Sequence, residues 1–461
     1  MKFGKKELGA YGFGAIGKDM VYALSASFVM YYYQDILGIS AAFVGTILMI
    51  ARVFDAINDP FMGVIVAKTN SKWGRFRPWV LLGTVLNAIV LVVMFNVPAL
   101  EGSALRTFFS VIYILWGVTY TMMDIPYWSM IPAVTDNAKD RETMSVIGRT
   151  FAGVGNALIT VGTVICVAML GQGNERAGFG RFAIIVAVIF VIAELVLFLC
   201  IKETKNEEKM ETVSISEMFR SLFSNDQAMV TVITIVLINT ALYITSNLII
   251  YFFKYDVGGA GWQGTYTLFS SVGGASQILG MMLIYPLLRK KFSNTQIFKI
   301  CLTSAITGYA LLLIVCLLGF AHSIGILLVP GILVFLSNGI LTVLTTVFLS
   351  ASVDYGELKT GHREESVIFS MQTFVVKLAS GVAVFMTGIG MTMIGLVGNA
   401  DTEGEIVAQS ASTLMGLRLL MTIIPIIGLI AAFFVFKNKF ILDDAKSEEI
   451  AAELKARREK A

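Results

Sequence analysis

Eight charged side chains lie inside long apolar stretches of this 461-residue sequence. A charge at the centre of a membrane-spanning helix costs about 2.5–3.5 kcal/mol on insertion scales, so each needs a partner, water or a function. Four are positive, four are negative and seven fall in the first half of the chain, so they could neutralise one another around one cavity. The eight are Lys18, Asp19, Arg52, Asp55, Asp59, Asp124, Arg149 and Lys377.

Two of the aspartates have the spacing of an ion site. Arg52, Asp55 and Asp59 stand at i, i+3 and i+7, so on a helix they share one stripe. Two carboxylates one turn apart repel each other unless a cation or a proton lies between them. Hard oxygen ligands suit Na+ or Li+, and Asn58 and Thr121 could add neutral oxygens. The pattern predicts a monovalent cation site at Asp55 and Asp59, with a structural ion pair as the alternative for Arg52.

A second group of residues suits a sugar. Tyr120, Asp124 and Trp128 form an i, i+4, i+8 face. An indole face packs against the apolar C–H face of a sugar ring, and carboxylates and an arginine such as Arg149 take up its hydroxyls. The alternatives are that Trp128 serves packing or anchors the helix at the membrane interface, and that Arg149 forms a structural ion pair.

The elements that must carry these residues are membrane helices. With 56% hydrophobic residues, 15% charged residues and a mean hydropathy of +0.77, the chain has more apolar surface than a soluble fold buries. Apolar stretches recur that are long enough to cross a hydrocarbon core of about 30 Å as helices. The sequence predicts an all-α membrane protein with twelve of them, at 12–36, 41–67, 78–98, 105–134, 143–171, 180–201, 227–255, 262–288, 294–316, 325–353, 366–398 and 407–436.

The loops predict the orientation of these helices. Lys and Arg concentrate on the side of the two termini, whereas the opposite face carries only Arg106, Arg176, Arg181 and Lys254. The positive-inside rule therefore puts both termini in the cytoplasm, and we expect a multi-pass protein of the bacterial cytoplasmic (inner) membrane. The net charge of +3 follows from this topology and implies no nucleic-acid partner.

The longest polar break divides the chain into two halves. It covers 202–226 and separates an N-terminal six-helix bundle, 1–201, from a C-terminal one, 227–436. Transporters built from repeated halves share this arrangement. The cytoplasmic tail, 437–461, is charged and helical in pattern, and we expect it to be solvated.

One short stretch imitates a nucleotide site. In YGFGAIGKDM, residues 11–20, Gly12, Gly14, Gly17 and Lys18 match two phosphate-binding patterns. A phosphate loop needs a preceding strand and a Ser or Thr after the lysine, whereas Asp19 follows here. We expect these glycines to let a neighbouring helix approach closely. Without a nucleophile–base set or a cofactor loop, the sequence predicts neither an enzyme nor a cofactor.

Two further charges, Glu194 and Arg418, lie towards the ends of apolar stretches. Long or flexible charged side chains near a helix end can extend to the membrane surface, which is called snorkelling. We expect both residues to do so.

Six segments carry a family resemblance. They are GKD at 17–19, RVFDAINDPFMG at 52–63, SKWGRFRPW at 71–79, YTMMDIPYWS at 120–129, SVDYGE at 352–357 and QTFVVK at 372–377. Together they resemble the glycoside-pentoside-hexuronide:cation symporter family, and most closely its melibiose permeases, over nearly the whole chain. The resemblance implies the major facilitator fold, in which two six-helix bundles rock about a central cavity.

For individual residues the resemblance implies two adjoining sites. The cation would be bound by Asp55, Asn58, Asp59 and Thr121. The sugar would be bound by Lys18, Asp19, Asp124, Trp128, Arg149 and Thr373, with Tyr120 nearby. Lys377 would lie between the two sites, and SKWGRFRPW would help to close the inward gate.

Two positions bear on the choice of sugar. Family members that carry glucuronides and other glycosides tend to have Asn in place of Asp124 and to lack Trp128. At these two positions the sequence therefore resembles the galactoside carriers. Thr342 departs from the melibiose permeases, which have a tryptophan there, and its presence removes a possible aromatic wall.

The sequence therefore predicts a secondary active transporter that couples Na+, Li+ or H+ to a melibiose-like galactoside by alternating access. A cation at Asp55 and Asp59 would release Arg52, Arg149 or Lys377 to reorganise the sugar site. The alternatives are a proton-coupled carrier of another glycoside, such as a glucuronide or pentoside, and a channel or ligand sensor in the same fold. The expected partners are a small glycoside, a monovalent cation and the lipid bilayer.

Overall fold

The computed structural model describes residues 4–134, 138–203, 223–259, 261–360, 365–398 and 406–460. Within these ranges the regular structure is helical and contains no strand. The chain divides into two compact units, Met1–Thr212 with Val397–Val407, and Val213–Leu396 with Ala408–Ala461. The predicted middle loop falls largely outside the described ranges, so the predicted domain boundaries stay a prediction.

The first unit is built from six long helices in its described residues. They are α1 (Lys5–Tyr31), α2 (Ala41–Ala67), α3 (Arg77–Phe95), α4 (Gly102–Val134), α5 (Ala138–Gly171) and α6 (Glu175–Cys200). α1 packs mainly against α5 and α6, α3 packs against α4 and α6, and α2 packs against α4.

The second unit holds the other α-helices of the described chain. They are α7 (Asp226–Tyr251), α8 (Trp262–Leu279), α9 (Tyr285–Arg289), α10 (Asn294–Leu317), α11 (Ile324–Thr360), α12 (Glu365–Met393), α13 (Ala411–Lys439) and α14 (Asp444–Lys460). Short π-helical segments continue α1, α7 and α8, and the last of them joins α8 to α9 in one span; they are Tyr32–Ile36, Phe252–Val257 and Gly280–Ile284.

Six helices of each unit are long enough to cross a membrane. Eleven candidate spans in the described residues are also strongly apolar. The remaining one is α1, whose hydropathy is lowered by Lys18 and Asp19, although its 27 residues reach about 40 Å at a rise of about 1.5 Å each. The predicted all-α fold of twelve transmembrane helices is confirmed.

Helix starts differ from the predicted ones where a cap decides them. α6 begins at Glu175 rather than at 180, because the Asn174 side chain accepts a hydrogen bond from the N–H of Ala177. Hydropathy marks the apolar run, whereas the cap fixes the first turn.

The glycines of α1 do allow close helix contact, as predicted. Gly12 faces side chains of α5. A Cβ on Gly14 would lie 2.7 Å from Leu197 of α6, and one on Gly17 would lie 2.8 Å from Ala193. α1 and α6 therefore cross at a distance that larger residues would not permit.

The tail helix α14 is docked rather than solvated. Leu442, Ile450 and Leu454 are buried and pack against α11, and Arg289 lies 2.6 Å from Asp444 at the start of α14. The expectation of a solvated tail is wrong for this face, because apolar residues spaced by helical turns form a narrow stripe in an otherwise charged segment.

Arg418 does not snorkel. Its Nε and Nη2 donate to the two carboxylate oxygens of Asp256 at 2.7 and 2.6 Å, and Nη1 donates to the carbonyl of Cys316 at 3.2 Å. Such a bidentate pair holds the guanidinium inside the second unit. The prediction was wrong because the acid partner lies far away in sequence.

Candidate functional site

Lys18 is the centre of a charge cluster in the first unit. Its side chain is 3% exposed, and its Nζ lies 2.7 Å from Asp124 Oδ1 and 3.0 Å from Asp19 Oδ2. Asp19 follows it on α1, whereas Asp124 belongs to α4. A buried ammonium needs anionic partners, and these two explain how α1 tolerates a lysine. The structure thus brings together three of the charges that the sequence predicted to converge.

Trp128 lies beside this cluster. Its Nε1 donates to Asp124 Oδ1 at 3.1 Å, and Lys18 Nζ lies 5.0 Å from the indole centroid. The guanidinium carbon of Arg149 is 4.2 Å from the same ring, a cation–π contact worth about 0.5–2 kcal/mol. Arg149 therefore lies against the indole surface that a sugar ring would use for stacking.

Two tyrosines connect the cluster with α2. Tyr120 accepts a hydrogen bond from Lys18 Nζ at 3.3 Å, and its ring centroid lies 5.4 Å from that of Tyr22. The guanidinium carbon of Arg52 is 5.6 Å from the Tyr22 ring. The sequence analysis missed Tyr22, although its place four residues after Lys18 puts both on one face of α1.

Two of the four residues predicted to bind the cation, Asp59 and Thr121, are in contact between α2 and α4. Arg52 Nη1 lies 3.6 Å from Asp55 Oδ2, and the Thr121 hydroxyl donates to Asp59 Oδ1 at 3.2 Å. Gly117 of α4 gives the Asp55 carboxylate room, since a Cβ there would lie 2.6 Å from Asp55 Oδ1. Nothing in the sequence distinguished Gly117 from the other glycines, because its role depends on the facing helix.

The oxygen atoms of this group suit a small monovalent cation. If a cation binds here as predicted, Asp55 and Asp59 would supply carboxylates, Thr121 a hydroxyl, and Asn58, half-buried on α2, an amide; the cation-binding role of these four residues stays a prediction. Among the described residues, no group of three or more His, Cys, Asp or Glu side chains is placed to hold a metal ion. A cation here would be held by two carboxylates and neutral oxygens.

Three residues singled out by the sequence belong to the second unit. Lys377 is half-buried on α12, and Thr373 is on the same helix with a side chain that lies outside the described part. Thr342 of α11 donates its hydroxyl to the carbonyl of Asn338 at 2.9 Å. The roles assigned to Lys377 and Thr373 stay predictions.

The predicted gate loop, 71–79, is fastened to the end of α6. The Glu203 carboxylate accepts hydrogen bonds from the backbone N–H groups of Arg75, Phe76 and Arg77 at 2.6, 2.9 and 2.8 Å. Charge-assisted bonds of this kind are stronger than neutral ones, so the loop is held firmly within the first unit. Its action as a gate stays a prediction.

Glu194 is fully buried, so the prediction that it snorkels was wrong. Its Oε2 lies 3.4 Å from the position of a Cβ on Gly14, which places the carboxyl at the crossing of α1 and α6. The sequence shows the charge but not the helix that covers it.

Comparisons with known proteins agree on a family. The family described as MFS/sugar transport protein matches residues 10–440. The chain is 26% identical to a raffinose carrier protein of Pediococcus pentosaceus over 96% of this chain and 70% of that protein. It is 28% identical to an isoprimeverose transporter of Lactiplantibacillus pentosus over 91% and 85%.

The fold has solved counterparts. A bacterial homolog to the human lysosomal transporter Spinster, in an inward-facing and unoccupied conformation, matches with a TM-score of 0.67 at 13% identity, covering 94% of this chain and 95% of that one. At this identity the likeness concerns the fold alone. Because the matched family consists of transporters, it supports the prediction of a carrier rather than an enzyme. The chain belongs to the MFS/sugar transport protein family and is a multi-pass sugar symporter of the major facilitator superfamily.

Proposed function

We propose that this symporter couples the uptake of a melibiose-like galactoside to Na+, Li+ or H+. The observation that carries the proposal is the cluster around Lys18, in which one ammonium, two carboxylates and an indole meet on α1 and α4. Tyr120 and Tyr22 connect it to Arg52, next to the predicted cation site.

The sugar would bind on the carboxylate side of the cluster. The side chains of Asp19 and Asp124 are 18% and 26% exposed, whereas Lys18 is 3% exposed, so a ligand reaches the carboxylates while the ammonium supports them from behind. Sugar hydroxyls would donate to both carboxylates. Arg149 would move from the indole of Trp128 to a hydroxyl, which would free the indole to stack on the ring.

The cation would act on the sugar site through Arg52. A cation between Asp55 and Asp59 weakens the attraction of Asp55 for Arg52, whose Nη1 lies 3.6 Å from it. Arg52 would then shift against Tyr22, and Tyr22 against Tyr120. By linkage, the sugar must tighten cation binding by the same factor.

The family resemblance adds two residues of α12 to the proposal. By family resemblance, Thr373 would bind the sugar and Lys377 would lie between sugar and cation. The bundles at 1–201 and 227–436 would alternate access across the bacterial cytoplasmic membrane, with the termini, the middle loop and the tail in the cytoplasm. Substrate, cation and lipid are the partners of this scheme, and no cofactor takes part in it.

The relatives support two substrate classes. A raffinose carrier among them agrees with a galactoside, as do Asp124 and Trp128. An isoprimeverose transporter supports the pentoside substrate of the alternative carrier, and Thr342 in place of a tryptophan is compatible with such a substrate.

Sugar-dependent Na+ uptake into membrane vesicles tests the proposal. We expect melibiose and raffinose to drive Na+ uptake, a glucuronide and isoprimeverose to fail, and Asp124→Asn to abolish the signal while inserting normally. Uptake of isoprimeverose or the glucuronide that responds to a proton gradient and not to Na+ or Li+ would establish the alternative. Failure of trapped sugar to drive counterflow would instead indicate a channel or sensor.

A further inference from the structure

Glu194 is a carboxyl group that the proposed transport cycle does not use. Its side chain is 0% exposed. Both carboxyl oxygens are buried, and neither takes part in a hydrogen bond within the described part of the chain. A buried side chain of this kind departs from the rule that buried polar groups are hydrogen-bonded.

The groups packed around Glu194 have their hydrogen bonds elsewhere. At the α1–α6 crossing the Tyr127 ring and Leu197 approach Gly14 together with Glu194 Oε2. The nearby phenols, Tyr11 and Tyr127, stack at 4.5 Å, and each donates its hydroxyl to the other's backbone carbonyl, at 3.2 and 2.6 Å. Neither hydroxyl is directed at Glu194.

Three charged groups act electrostatically on Glu194, and all of them belong to the cluster around Lys18. They are Lys18 and Asp19 on α1 and Asp124 on α4. Lys18 is already shared by the two aspartates at 3.0 and 2.7 Å, so the cluster has one more negative than positive charge. An ionised Glu194 would raise that excess.

Two arginines on helices that pack against α6, in the described part of the chain, have contacts away from Glu194. On α3, Arg77 donates to the carbonyl of Phe198. On α5, Arg149 lies against the indole of Trp128. An ionised carboxylate without a hydrogen bond or a counterion of its own is strongly disfavoured away from water, whereas the neutral acid is much less so.

We propose that Glu194 binds a proton in this conformation and forms a proton site of the first unit, separate from the cation site at Asp55 and Asp59. The ligand is the proton itself, held at a carboxyl oxygen at the α1–α6 crossing. Because its charge state acts on Lys18, protonation of Glu194 and ligand binding at the cluster are linked. The proposal does not depend on which sugar or cation the carrier takes.

Infrared spectroscopy of the purified full-length protein tests this site. We expect a carbonyl band of a protonated carboxylic acid at neutral pH, and we expect that band to be lost in Glu194→Gln, whose neutral amide matches the protonated acid in shape. Asp226→Asn, which removes an exposed carboxylate paired with Lys359 at 2.9 Å, is the matched control and should leave the band unchanged.

A second measurement covers the case in which Glu194→Gln does not fold. Carbon-13 labelling of the glutamate side chains of the wild type should shift the band, which assigns it to a glutamate rather than an aspartate. A wild type without the band, a band that persists in a folded Glu194→Gln protein, or a band that the glutamate label does not move would overturn the proposal. If Na+-coupled sugar uptake fails, the wild-type band, its loss in Glu194→Gln and its shift on glutamate labelling are still expected. The two proposals can therefore fail independently of each other.

Discussion

Replacing Gly117 by alanine tests whether the Asp55 carboxylate must lie where it does to bind the cation. The added Cβ would lie 2.6 Å from Asp55 Oδ1, inside the 3.0 Å limit that real Cβ contacts keep, so the carboxylate must turn away. Rotating a side chain by about 30° from its rotamer costs about 0.5–1.5 kcal/mol. At about 1.4 kcal/mol for each factor of ten, apparent Na+ affinity should fall by about 2- to 12-fold.

The assay is a Na+ titration of sugar binding by calorimetry. Sugar affinity at saturating Na+ should stay near the wild-type value, because the Lys18 cluster keeps all its contacts. Gly162→Ala is the matched control, since a Cβ there meets nothing within 4 Å. Unchanged Na+ affinity in Gly117→Ala, or an equal loss in both glycine variants, would refute the reasoning.

Four further substitutions probe the cluster around Lys18 and the crossing of α1 and α6. Asp19→Asn and Asp124→Asn should each abolish galactoside binding in a membrane-inserted protein, because each removes an anionic partner of Lys18 and a hydroxyl acceptor; wild-type affinity in both would rule out the assignment. Trp128→Phe loses the 3.1 Å hydrogen bond to Asp124, so sugar affinity measured by equilibrium binding should drop about tenfold or more. An unchanged affinity would show that Trp128 serves packing only. Gly14→Ala places a Cβ 2.7 Å from Leu197 and should cost about 1–3 kcal/mol of stability, measured by thermal unfolding. Gly9→Ala on the same helix is the control and should cost none, because a Cβ there meets nothing within 4 Å. Equal melting temperatures of the two variants would show that the helix crossing can adjust.

The sequence predicts the site best where a residue would be energetically unfavourable in a membrane helix without a partner. A lysine and an aspartate inside α1 had to be paired or used, and the structure pairs Lys18 with both Asp19 and Asp124. The glycines of α1 indicate a close helix contact because small residues have few other uses in a membrane helix.

The sequence is least informative about which helix covers a given face. Glu194 and Arg418 look alike in an apolar run, yet Glu194 is buried and makes no hydrogen bond to the described residues, whereas Arg418 pairs with Asp256. Tyr22 and Gly117 acquire their importance from residues on other helices. Side-chain partners depend on helix rotation and crossing, and a hydropathy pattern contains neither.

The central claim, that a cation at Asp55 and Asp59 tightens sugar binding, is tested most directly by measuring sugar affinity with and without Na+ in the wild type and in Asp59→Cys. The wild type should gain about 5- to 150-fold in affinity on adding Na+, the range of a typical coupling free energy. Asp59→Cys loses a carboxylate that the cation needs but keeps the Lys18 cluster, so it should bind and exchange sugar without any gain from Na+ or Li+ and without accumulation. Sodium-stimulated accumulation that persists in Asp59→Cys would contradict the account and would make Asp124 the first candidate for the cation site.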